Sequence, residues 1–245
     1  MSEKLKWHYR CYRYLSQIIS NYKSEGKLNF WSHAKYFYKW ITTINSGKTT
    51  YVDQEPWLPY HTIAFLTNHI NQITNVFEYG GGSSTLYYLK HGKKVITVEH
   101  DPDWFHVFSK TIEEQKYSHW IGKLVLPEKG DLVKNPNPAA PLHFHSSDIN
   151  YVGYNFKSYC ESINQFGDET FDLIVVDGRA RPSCAVVAFP KLKKGGWLLH
   201  DNTNLKHYHA VNDTYFKQNF EIIHDHVGAV PYGLDFARTT IYRKK

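Results

Sequence analysis

The run at residues 171–177, Phe-Asp-Leu-Ile-Val-Val-Asp, limits what this chain can fold into more than any other segment. Its apolar residues are consecutive rather than alternating, which is typical of a strand covered on both faces of a parallel sheet. Strand-like runs at 76–79, 94–100 and 195–200 alternate with helical patterns along the chain. This alternation, with short connections, predicts an α/β fold with a doubly wound, mostly parallel sheet.

The other elements are predicted from the same periodicities. Helices are expected at 60–73, 104–117, 184–192 and 207–219, a short third strand at 123–127, and an antiparallel edge pair at 221–226 and 238–243. Residues 128–155 show no regular pattern and contain prolines at 136, 138 and 141. A loop of this length is a candidate lid or specificity element, or else an ordered surface excursion.

The first 55 residues differ from the rest in their pattern of apolar and basic residues. Aromatic and aliphatic residues recur at helical spacing from Trp7 to Tyr22, a second helix is expected at 30–44, and Lys and Arg lie between the apolar positions. We therefore divide the chain into an N-terminal helical extension (1–55) and a main domain (56–245). The extension is expected to dock on the main domain. The alternatives are that it covers a substrate cleft or makes a peripheral contact with an anionic membrane surface.

Charge and cysteine content set broad limits on function. The formal net charge of +6 suits acidic substrates, phosphates or an anionic surface. Cys11, Cys160 and Cys184 are widely spaced, so neither a disulfide framework nor a zinc site is expected. No apolar window approaches the length of a transmembrane segment, and the N-terminus lacks an uninterrupted apolar core. A cytoplasmic protein is therefore expected.

The first strand ends in an acid followed by three glycines. Glu78 precedes Gly80, Gly81 and Gly82, and the hydroxyl residues 83–85 then begin a helix. Consecutive glycines allow a sharp turn and a close approach of the backbone to a ligand, while the hydroxyls can cap the helix. The segment is a candidate binding loop, and a plain strand-to-helix turn is the alternative.

Three strand ends are expected to meet at one edge of the sheet. In an open parallel sheet ligands bind outside the carboxyl ends of the strands, which brings together the glycine loop, Glu99 and Asp177. A carboxylate at Glu99 suits both hydroxyls of a ribose. The third glycine of the Gly-x-Gly-x-x-Gly dinucleotide fingerprint is absent. Glu78 is poorly placed for a pyrophosphate and suits a cationic group instead, such as an α-ammonium or a sulfonium.

Four motifs, in this order, resemble those of the class I S-adenosylmethionine-dependent methyltransferases. They are Glu-Tyr-Gly-Gly-Gly-Ser-Ser-Thr at 78–85, Val-Glu-His-Asp at 98–101, the run at 171–178, and Gly-Gly-Trp-Leu-Leu-His-Asp-Asn at 195–202. The resemblance covers residue 57 to the C-terminus. It implies a Rossmann-like, seven-stranded sheet with a reversed last strand, and S-adenosylmethionine as the cofactor.

The resemblance also implies roles for individual residues. The glycine loop receives the methionine part of the cofactor, Glu99 binds the ribose, and His100 and Asp101 lie beside the adenosine. No residue of the region 124–148 aligns clearly enough to be assigned an adenine contact. The complete predicted cofactor-binding set is Glu78, Gly80, Gly81, Gly82, Ser84, Thr85, Glu99, His100, Asp101 and Asp177.

A metal-assisted reaction is one hypothesis for the transfer. Asp177 with Asp201 and Asn202 resembles the triad that binds a divalent cation in catechol-type O-methyltransferases, and hard oxygen ligands suit Mg²⁺. The sequence departs from that family because Gly-Arg-Ala-Arg follows Asp177, with no lysine at the expected base position. The alternative is that Asp177 contacts the amino group of the cofactor, while Asp201 and Asn202 cap the next helix.

The catalytic candidates are Asp177, Arg179, His200 and Asp201. Arg179 and Arg181 present planar donor groups suited to a carboxylate or phosphate of the substrate, or they pair with structural acids. His200 precedes a strand-end acid and is a candidate general base near neutral pH. The acceptor pocket has three further candidate lining residues, His207, Tyr208 and His209.

These features predict a methyltransferase acting on a small-molecule or glycan-like acceptor, at oxygen. The oxygen preference rests on Asp177, Asp201 and Asn202, and no Asn-Pro-Pro-Tyr-like tetrapeptide points to amino groups of bases or glutamine. Two alternatives stay open: an NAD-dependent oxidoreductase or epimerase on a similar sheet, and a non-catalytic module that binds nucleic acid or a partner through the basic hairpin. Nucleic acid is the less favoured partner, and the oligomeric state is left open.

Overall fold

A seven-stranded sheet forms the centre of the fold. The computed structural model describes residues 3–25, 30–205, 208 and 217–245. The sheet has the order β3-β2-β1-β6-β7-β9-β8, and β9 runs antiparallel to both of its neighbours. A separate antiparallel pair is formed by β4 and β5. The strands are β1 (Asn75–Tyr79), β2 (Lys94–Glu99), β3 (Trp120–Leu124), β4 (Glu128–Lys129), β5 (Tyr154–Asn155), β6 (Phe171–Val176), β7 (Leu192–Asp201), β8 (Phe220–Ala229) and β9 (Phe236–Lys244). The predicted mostly parallel sheet with a reversed last strand is confirmed.

Helices cover both faces of this sheet and precede it. They are α1 (Glu3–Glu25), α2 (Phe30–Asn45), α3 (Thr50–Asp53), α4 (Tyr60–His69), α5 (Ser83–Lys90), α6 (Pro102–Glu114), α7 (Lys157–Glu161) and α8 (Arg181–Ala188), with a short helical segment at Lys217–Asn219. The start of α6 illustrates how the sequence sets a boundary. The Asp101 side chain accepts hydrogen bonds from the backbone N–H groups of Asp103 and Trp104, and Pro102 occupies the first turn.

Burial of β6 explains its uninterrupted apolar sequence. Leu173 and Val175 pack into a hydrophobic cluster on one face of the sheet, together with side chains of α4, α5 and α6. Ile174 and Val176 pack into a second cluster on the other face, with side chains of α7 and α8. Because both faces are covered, neither set of alternate residues has to be polar.

Among the predicted boundaries that differ from the structure, two bear on the edge of the sheet and on the site. The third strand begins at Trp120, three residues before the predicted start, and it pairs only with β2. At this edge position Ile121 and Leu124 are exposed, so burial leaves no clear apolar pattern in its sequence. Helix α8 begins at Arg181 rather than at residue 184. The predicted helix at 207–219 falls outside the described residues, except for Tyr208 and Lys217–Asn219.

The long loop at 128–155 is closed at its base. Strands β4 and β5 pair Glu128 with Asn155, and the Asn155 amide donates to the carbonyl of Gly130 at 2.9 Å. Arg179 Nη2 lies 2.9 Å from a carboxylate oxygen of Asp148 and so ties the loop to the end of β6. The loop is therefore an ordered excursion with one ion pair to the carboxyl edge of the sheet.

The N-terminal helices share the core of the main domain. Tyr14 and Ile18 of α1 and Trp40 and Ile41 of α2 are buried in the same hydrophobic cluster as α4 and one face of the sheet. The inner sides of α1 and α2 therefore pack on the main domain, as expected for the N-terminal extension. The boundary at residue 55 stays a prediction, because the two segments have a common core. No helix in the described part of the chain is long and apolar enough to cross a membrane.

Candidate functional site

A cavity of about 680 Å³ opens where β1, β2, β6 and β7 end, at the carboxyl edge of the sheet. Its volume is within the range of ligand-binding pockets. One half is lined by the glycine loop with Glu99, His100, Asp101 and Trp104. The other half is lined by Trp57, Asp177, Arg179, Arg181, Asp201, Asn202, Val230, Asp235, Phe236 and Ala237. The structure thus brings the three predicted strand ends together.

The glycine loop is built from a close approach of two strand ends. Gly80 has a φ of +89°, and a Cβ at this position would lie 2.8 Å from the backbone of Gly178 after β6. A Cβ on Gly81 would lie 2.5 Å from the ring of Phe108. Any larger residue at either position meets fixed neighbours, so the glycines are required by packing and by backbone conformation. Trp104 closes the loop from outside, with its indole N–H donating to the Gly81 carbonyl at 2.7 Å.

Glu78 lies behind the loop and does not line the cavity. Its carboxylate is fully buried and accepts hydrogen bonds from the hydroxyls of Ser84 (2.5 Å), Thr85 (2.5 Å) and Thr97 (3.3 Å). Thr85 in turn accepts from the backbone N–H of Gly82 at 3.0 Å. Burial raises the pKa of Glu78 to about 7, although the three hydroxyl donors favour its charged form. Glu78 therefore anchors the loop and the start of α5, and its predicted contact with a cationic ligand group stays a prediction.

Among the other loop residues, Ser84 reaches the cavity and Thr85 does not. Ser84 lines the cavity wall while donating to Glu78. Thr85 is fully buried, and both of its hydrogen bonds serve the loop itself. Of the predicted cofactor-binding residues, Glu78 and Thr85 are the two that hold the site from behind.

Glu99 presents a fixed carboxylate to the cavity. One oxygen accepts from the backbone N–H of Gly81 at 3.0 Å, and the other from those of His100 (2.6 Å) and Asp101 (2.9 Å). Only 3% of Glu99 is exposed, so its orientation is set by the protein rather than by solvent. The two carboxylate oxygens have about four acceptor sites in all, so the three backbone N–H groups leave capacity for a ligand hydroxyl, mainly on the oxygen that accepts from Gly81.

His100 joins the cofactor side of the cavity to the long loop. Its Nδ1 lies 2.6 Å from Glu99, and its Nε2 accepts from Arg179 Nε at 3.3 Å. Its ring packs edge-on against Tyr151 of the loop, with centroids 5.2 Å apart. Arg179, a predicted catalytic residue, is thus held between His100 and Asp148. It lines the cavity and pairs with an acid of the chain, which is one of the two outcomes that the sequence left open.

Arg181 occupies the space between the two acids that end β6 and β7. Its Nη2 lies 2.9 Å from the Asp177 carboxylate, and its Nη1 lies 3.6 Å from the Asp201 carboxylate. It also donates to the backbone carbonyls of Gly178 (3.0 Å), Asp201 (2.8 Å) and Asp177 (3.1 Å). Asp201 accepts a further hydrogen bond from the Thr239 hydroxyl at 2.5 Å. A fixed guanidinium therefore balances both carboxylates.

The pKa values of the two acids reflect their closeness. Burial raises the pKa of Asp177, Arg181 opposes this rise, and the negative charges of Asp201 and Glu78 add to it. Burial likewise raises the pKa of Asp201, against the favourable charge of Arg181 and the hydrogen bond from Thr239. The Asp177 side chain retains 29% exposure, so this carboxyl group faces the cavity.

The geometry gives no support to Mg²⁺ at Asp177, Asp201 and Asn202. The guanidinium of Arg181 contacts both carboxyl groups and already supplies the compensating positive charge. Within residues 3–25, 30–205, 208 and 217–245, no three His, Cys, Asp or Glu side chains are grouped to hold a metal ion. The metal hypothesis is therefore not supported, and the sequence signal against it was the arginine four residues after Asp177.

His200 does not reach the cavity. It is fully buried and does not line the cavity, and its ring centroid lies 5.4 Å from that of Tyr208. Burial and the positive charge of Arg181 lower its pKa to about 3. A general base near neutral pH has to titrate there and touch the reacting group, so this position gives no support to the role predicted for His200. His207 and His209 lie outside the described residues, and Tyr208 is buried beside Arg181.

The sequence interpretation missed the wall formed by Trp57 and the turn between β8 and β9. Gln17 of α1 accepts from the backbone N–H of Phe236 at 2.5 Å, and Arg13 forms an ion pair with Asp235. Trp40 of α2 donates to a backbone carbonyl of the turn at 2.8 Å. The N-terminal helices therefore hold one wall of the cavity in place. The sequence contained a signal for this wall: the predicted last strand is reversed, so it must begin at the carboxyl edge of the sheet, next to the cavity.

Comparison with known proteins supports the fold assignment. No family model and no curated protein match this sequence. An O-methyltransferase from Bacillus cereus, solved in complex with SAH, has a TM-score of 0.52 at 15% identity, covering 83% of this chain and 91% of its own. TrmN from Thermus thermophilus has a TM-score of 0.50 at 13% identity, over 74% of this chain and 47% of its own. A methyltransferase-like protein from Silicibacter pomeroyi is 21% identical over 76% of this chain and 88% of its own, with a TM-score of 0.49.

At these identities the likeness establishes the fold. This chain has the Rossmann-like fold of the class I S-adenosylmethionine-dependent methyltransferases, with two helices and a short third one ahead of it. The cavity lies at the carboxyl edge of the sheet, where open α/β folds bind their ligands.

Proposed function

We propose that this chain is an S-adenosylmethionine-dependent methyltransferase that acts at oxygen on a small-molecule or glycan-like acceptor. The observation that carries the proposal is the Glu99 carboxylate, which is fixed by three backbone N–H groups beside the glycine loop of a methyltransferase fold. A rigid, nearly buried acid at the end of the second strand suits a hydroxyl of a ribose.

The residues of the glycine loop fit such a cofactor. The space that a Cβ on Gly80 or Gly81 would occupy is already filled by the protein, so the backbone itself faces the ligand. The loop would hold the methionine part, Glu99 the ribose, and His100 and Asp101 the adenosine, with Trp104 beside them as an aromatic wall. When bound, the cofactor supplies an electrophilic methyl group on a sulfonium.

The acceptor would lie in the other half of the cavity. Methyl transfer needs mainly proximity and alignment, with a base where the acceptor must lose a proton. Asp177 faces the cavity with a raised pKa, so we assign it as the group that accepts the proton of an acceptor hydroxyl. Arg181 orients this carboxylate through the 2.9 Å contact.

The acceptor half combines aromatic faces with hydroxyl-binding groups. Trp57 and Phe236 offer apolar faces, while Asn202 and Asp235 offer polar atoms. A small polar molecule with apolar C–H faces, such as a sugar, matches this combination better than an extended apolar ligand. The assignment of acceptor class rests on this lining.

Calorimetry with S-adenosylhomocysteine and with NAD tests the cofactor proposal without an acceptor. We expect S-adenosylhomocysteine to bind and NAD not to bind. Glu99→Gln should weaken S-adenosylhomocysteine binding by at least about tenfold, since a hydrogen bond to a charged group contributes about 1.5 kcal/mol or more. Asp103→Asn, which removes an exposed acid of α6 outside the cavity lining, is the matched control. Binding of NAD instead, or equal affinities of the two variants, would contradict the proposal.

A further inference from the structure

The basic surplus of the chain is confined to its N-terminal helices. Residues 4–52 contain nine Lys and Arg and a single acid, Glu25. The whole chain has 29 Lys and Arg against 23 Asp and Glu, which leaves 20 basic and 22 acidic residues elsewhere. The surplus of positive charge thus lies in residues 4–52, most of it on the α1–α2 hairpin, and local charge of one sign attracts a surface of the opposite sign.

Part of this charge is not neutralised within the described residues. Lys39 pairs with Glu55, and Arg13 pairs with Asp235. Arg10 binds the neutral Asn45 side chain, and Lys35 lies over the ring of Tyr36 at 4.8 Å. Neither Arg10 nor Lys35 meets a carboxylate in the part of the chain that the structure describes, so both retain positive charge for a partner.

The same hairpin exposes apolar side chains. A groove of about 350 Å³ runs between α1 and α2, and its lining side chains include Trp7, Leu15 and Phe30. These three are 48%, 49% and 42% exposed. On the outer side of α1, Tyr12 and Ile19 continue the stripe at helical spacing from Leu15. The inner side of α1, with Tyr14 and Ile18, is the side that packs on the core.

We propose that the outer face of the α1–α2 hairpin docks on the surface of a bilayer that contains anionic phospholipids. An amphipathic helix with basic residues and exposed Trp, Leu and Ile lies in the plane of such an interface, with its apolar stripe below the headgroups. Aromatic side chains favour this depth because one part of the ring system is apolar and another is polar. The basic residues then lie at the level of the lipid phosphates.

Exposed aliphatic side chains favour a bilayer over nucleic acid as the partner. Interfaces with nucleic acid are polar and carry hydrogen-bond donors to phosphates and bases. Leu15 and Ile19 offer none, and the groove between the helices is lined by apolar residues along its length. Burial of this stripe in lipid is favourable, whereas pairing it with phosphates leaves it in water.

Vesicle sedimentation tests the proposal with the full-length chain. We expect it to sediment with vesicles of phosphatidylcholine mixed with phosphatidylglycerol, and to remain in solution with phosphatidylcholine alone. High salt should release it, since the attraction of exposed charges is screened. Lys35→Gln should weaken binding about fivefold, the equivalent of about 1 kcal/mol for one basic residue near an anionic surface. Lys94→Gln, at an exposed lysine that begins β2, should have no effect.

A pair of isoleucine variants separates apolar docking from general adhesion. Ile19 is 53% exposed on the hairpin, and Ile222 is 59% exposed on β8, so both tolerate serine without loss of a buried contact. Ile19→Ser should reduce sedimentation with the anionic vesicles severalfold, and Ile222→Ser should not. Equal behaviour of the two variants overturns the proposal, as does binding to neutral vesicles alone.

Two further outcomes would also overturn it. Binding of a labelled RNA oligonucleotide in place of vesicles would assign the basic surface to nucleic acid. A dimer that Ile19→Ser converts to monomer, with no vesicle binding by the wild-type chain, would assign the stripe to a second copy of the protein. Neither outcome bears on the cofactor proposal, because the test needs no methyl transfer.

Discussion

Replacement of Glu78 by glutamine is expected to change how the stability of this protein depends on pH. Glu78 is fully buried, and burial raises its pKa from the ordinary value of 4.5 to about 7. Between these two values the unfolded chain releases this proton while the folded chain retains it. The free energy of unfolding of the wild type therefore falls as the pH rises from 4.5 to 7 and is level above pH 7.

The size of this effect follows from the separation of the two pKa values. Each pH unit of separation corresponds to 1.36 kcal/mol, so the full interval from 4.5 to about 7 amounts to about 3 kcal/mol. The glutamine side chain of the Glu78→Gln variant carries no ionisable proton, so the variant lacks this loss. Relative to the wild type, the variant should gain about 3 kcal/mol of stability between pH 4.5 and pH 7, whatever its stability at the lower pH.

Urea unfolding followed by tryptophan fluorescence, at a series of pH values, measures this difference. Histidines titrate in the same interval, but they do so in both proteins and cancel in the comparison. Glu113→Gln, at an exposed position of α6, is the control and should give a curve parallel to that of the wild type. Parallel curves for Glu78→Gln would refute the reasoning, because they would mean that Glu78 titrates alike in the folded and unfolded chains.

The same variant also tests whether Glu78 contacts the ligand or only supports the glycine loop. Glu78 bonds to Ser84, Thr85 and Thr97 and does not line the cavity. We therefore expect Glu78→Gln to weaken S-adenosylhomocysteine binding less than Glu99→Gln does. The reverse order of affinities would mean that the Glu78 carboxylate contacts the ligand directly.

Two other substitutions probe the walls of the cavity. Gly80→Ala should destabilise the fold by about 1–3 kcal/mol and weaken binding of S-adenosylhomocysteine, since its φ is +89° and the new Cβ would lie 2.8 Å from the backbone of Gly178. Gly92→Ala is the control, because Gly92 has a φ of +71° but open space around it, so the variant carries only the backbone cost. Equal losses of stability and of affinity in the two variants, in the same unfolding and calorimetric measurements, would mean that the contact with Gly178 contributes nothing. Arg181→Met should cost about 3 kcal/mol in urea unfolding at neutral pH, since it leaves Asp177 and Asp201 without their shared cation. That loss should shrink as acid protonates the two carboxyl groups, and a loss independent of pH would point to packing alone.

The fold and the location of the site could be predicted from local sequence patterns. The apolar run of β6 requires cover on both faces, and alternating strands and helices then determine a parallel sheet. Once the strands are known, their carboxyl ends must share one edge, which brings Gly80, Glu99 and Asp177 together without further information. Such predictions succeed because they depend on residues a few positions apart and on the direction of the chain.

The partners of individual side chains were decided only by the tertiary structure. The sequence placed Glu78 and His200 next to the strand ends but did not determine whether they face the cavity or the core. It left two roles open for Arg181, and only the start of α8 puts its guanidinium between Asp177 and Asp201. Successive side chains of a strand point to opposite faces of the sheet, so a shift of one position moves a side chain from one face to the other.

The cavity wall formed by Trp57 and the turn between β8 and β9 shows most clearly what local sequence patterns leave open. Gln17 and Phe236 are 219 positions apart in the sequence, yet their hydrogen bond holds the turn that borders the cavity. Local periodicity and chain direction were enough to predict the sheet, the glycine loop and the acid at the end of the second strand. The tertiary structure alone decided which charges meet and which helix supports which wall, because those contacts depend on how distant segments pack.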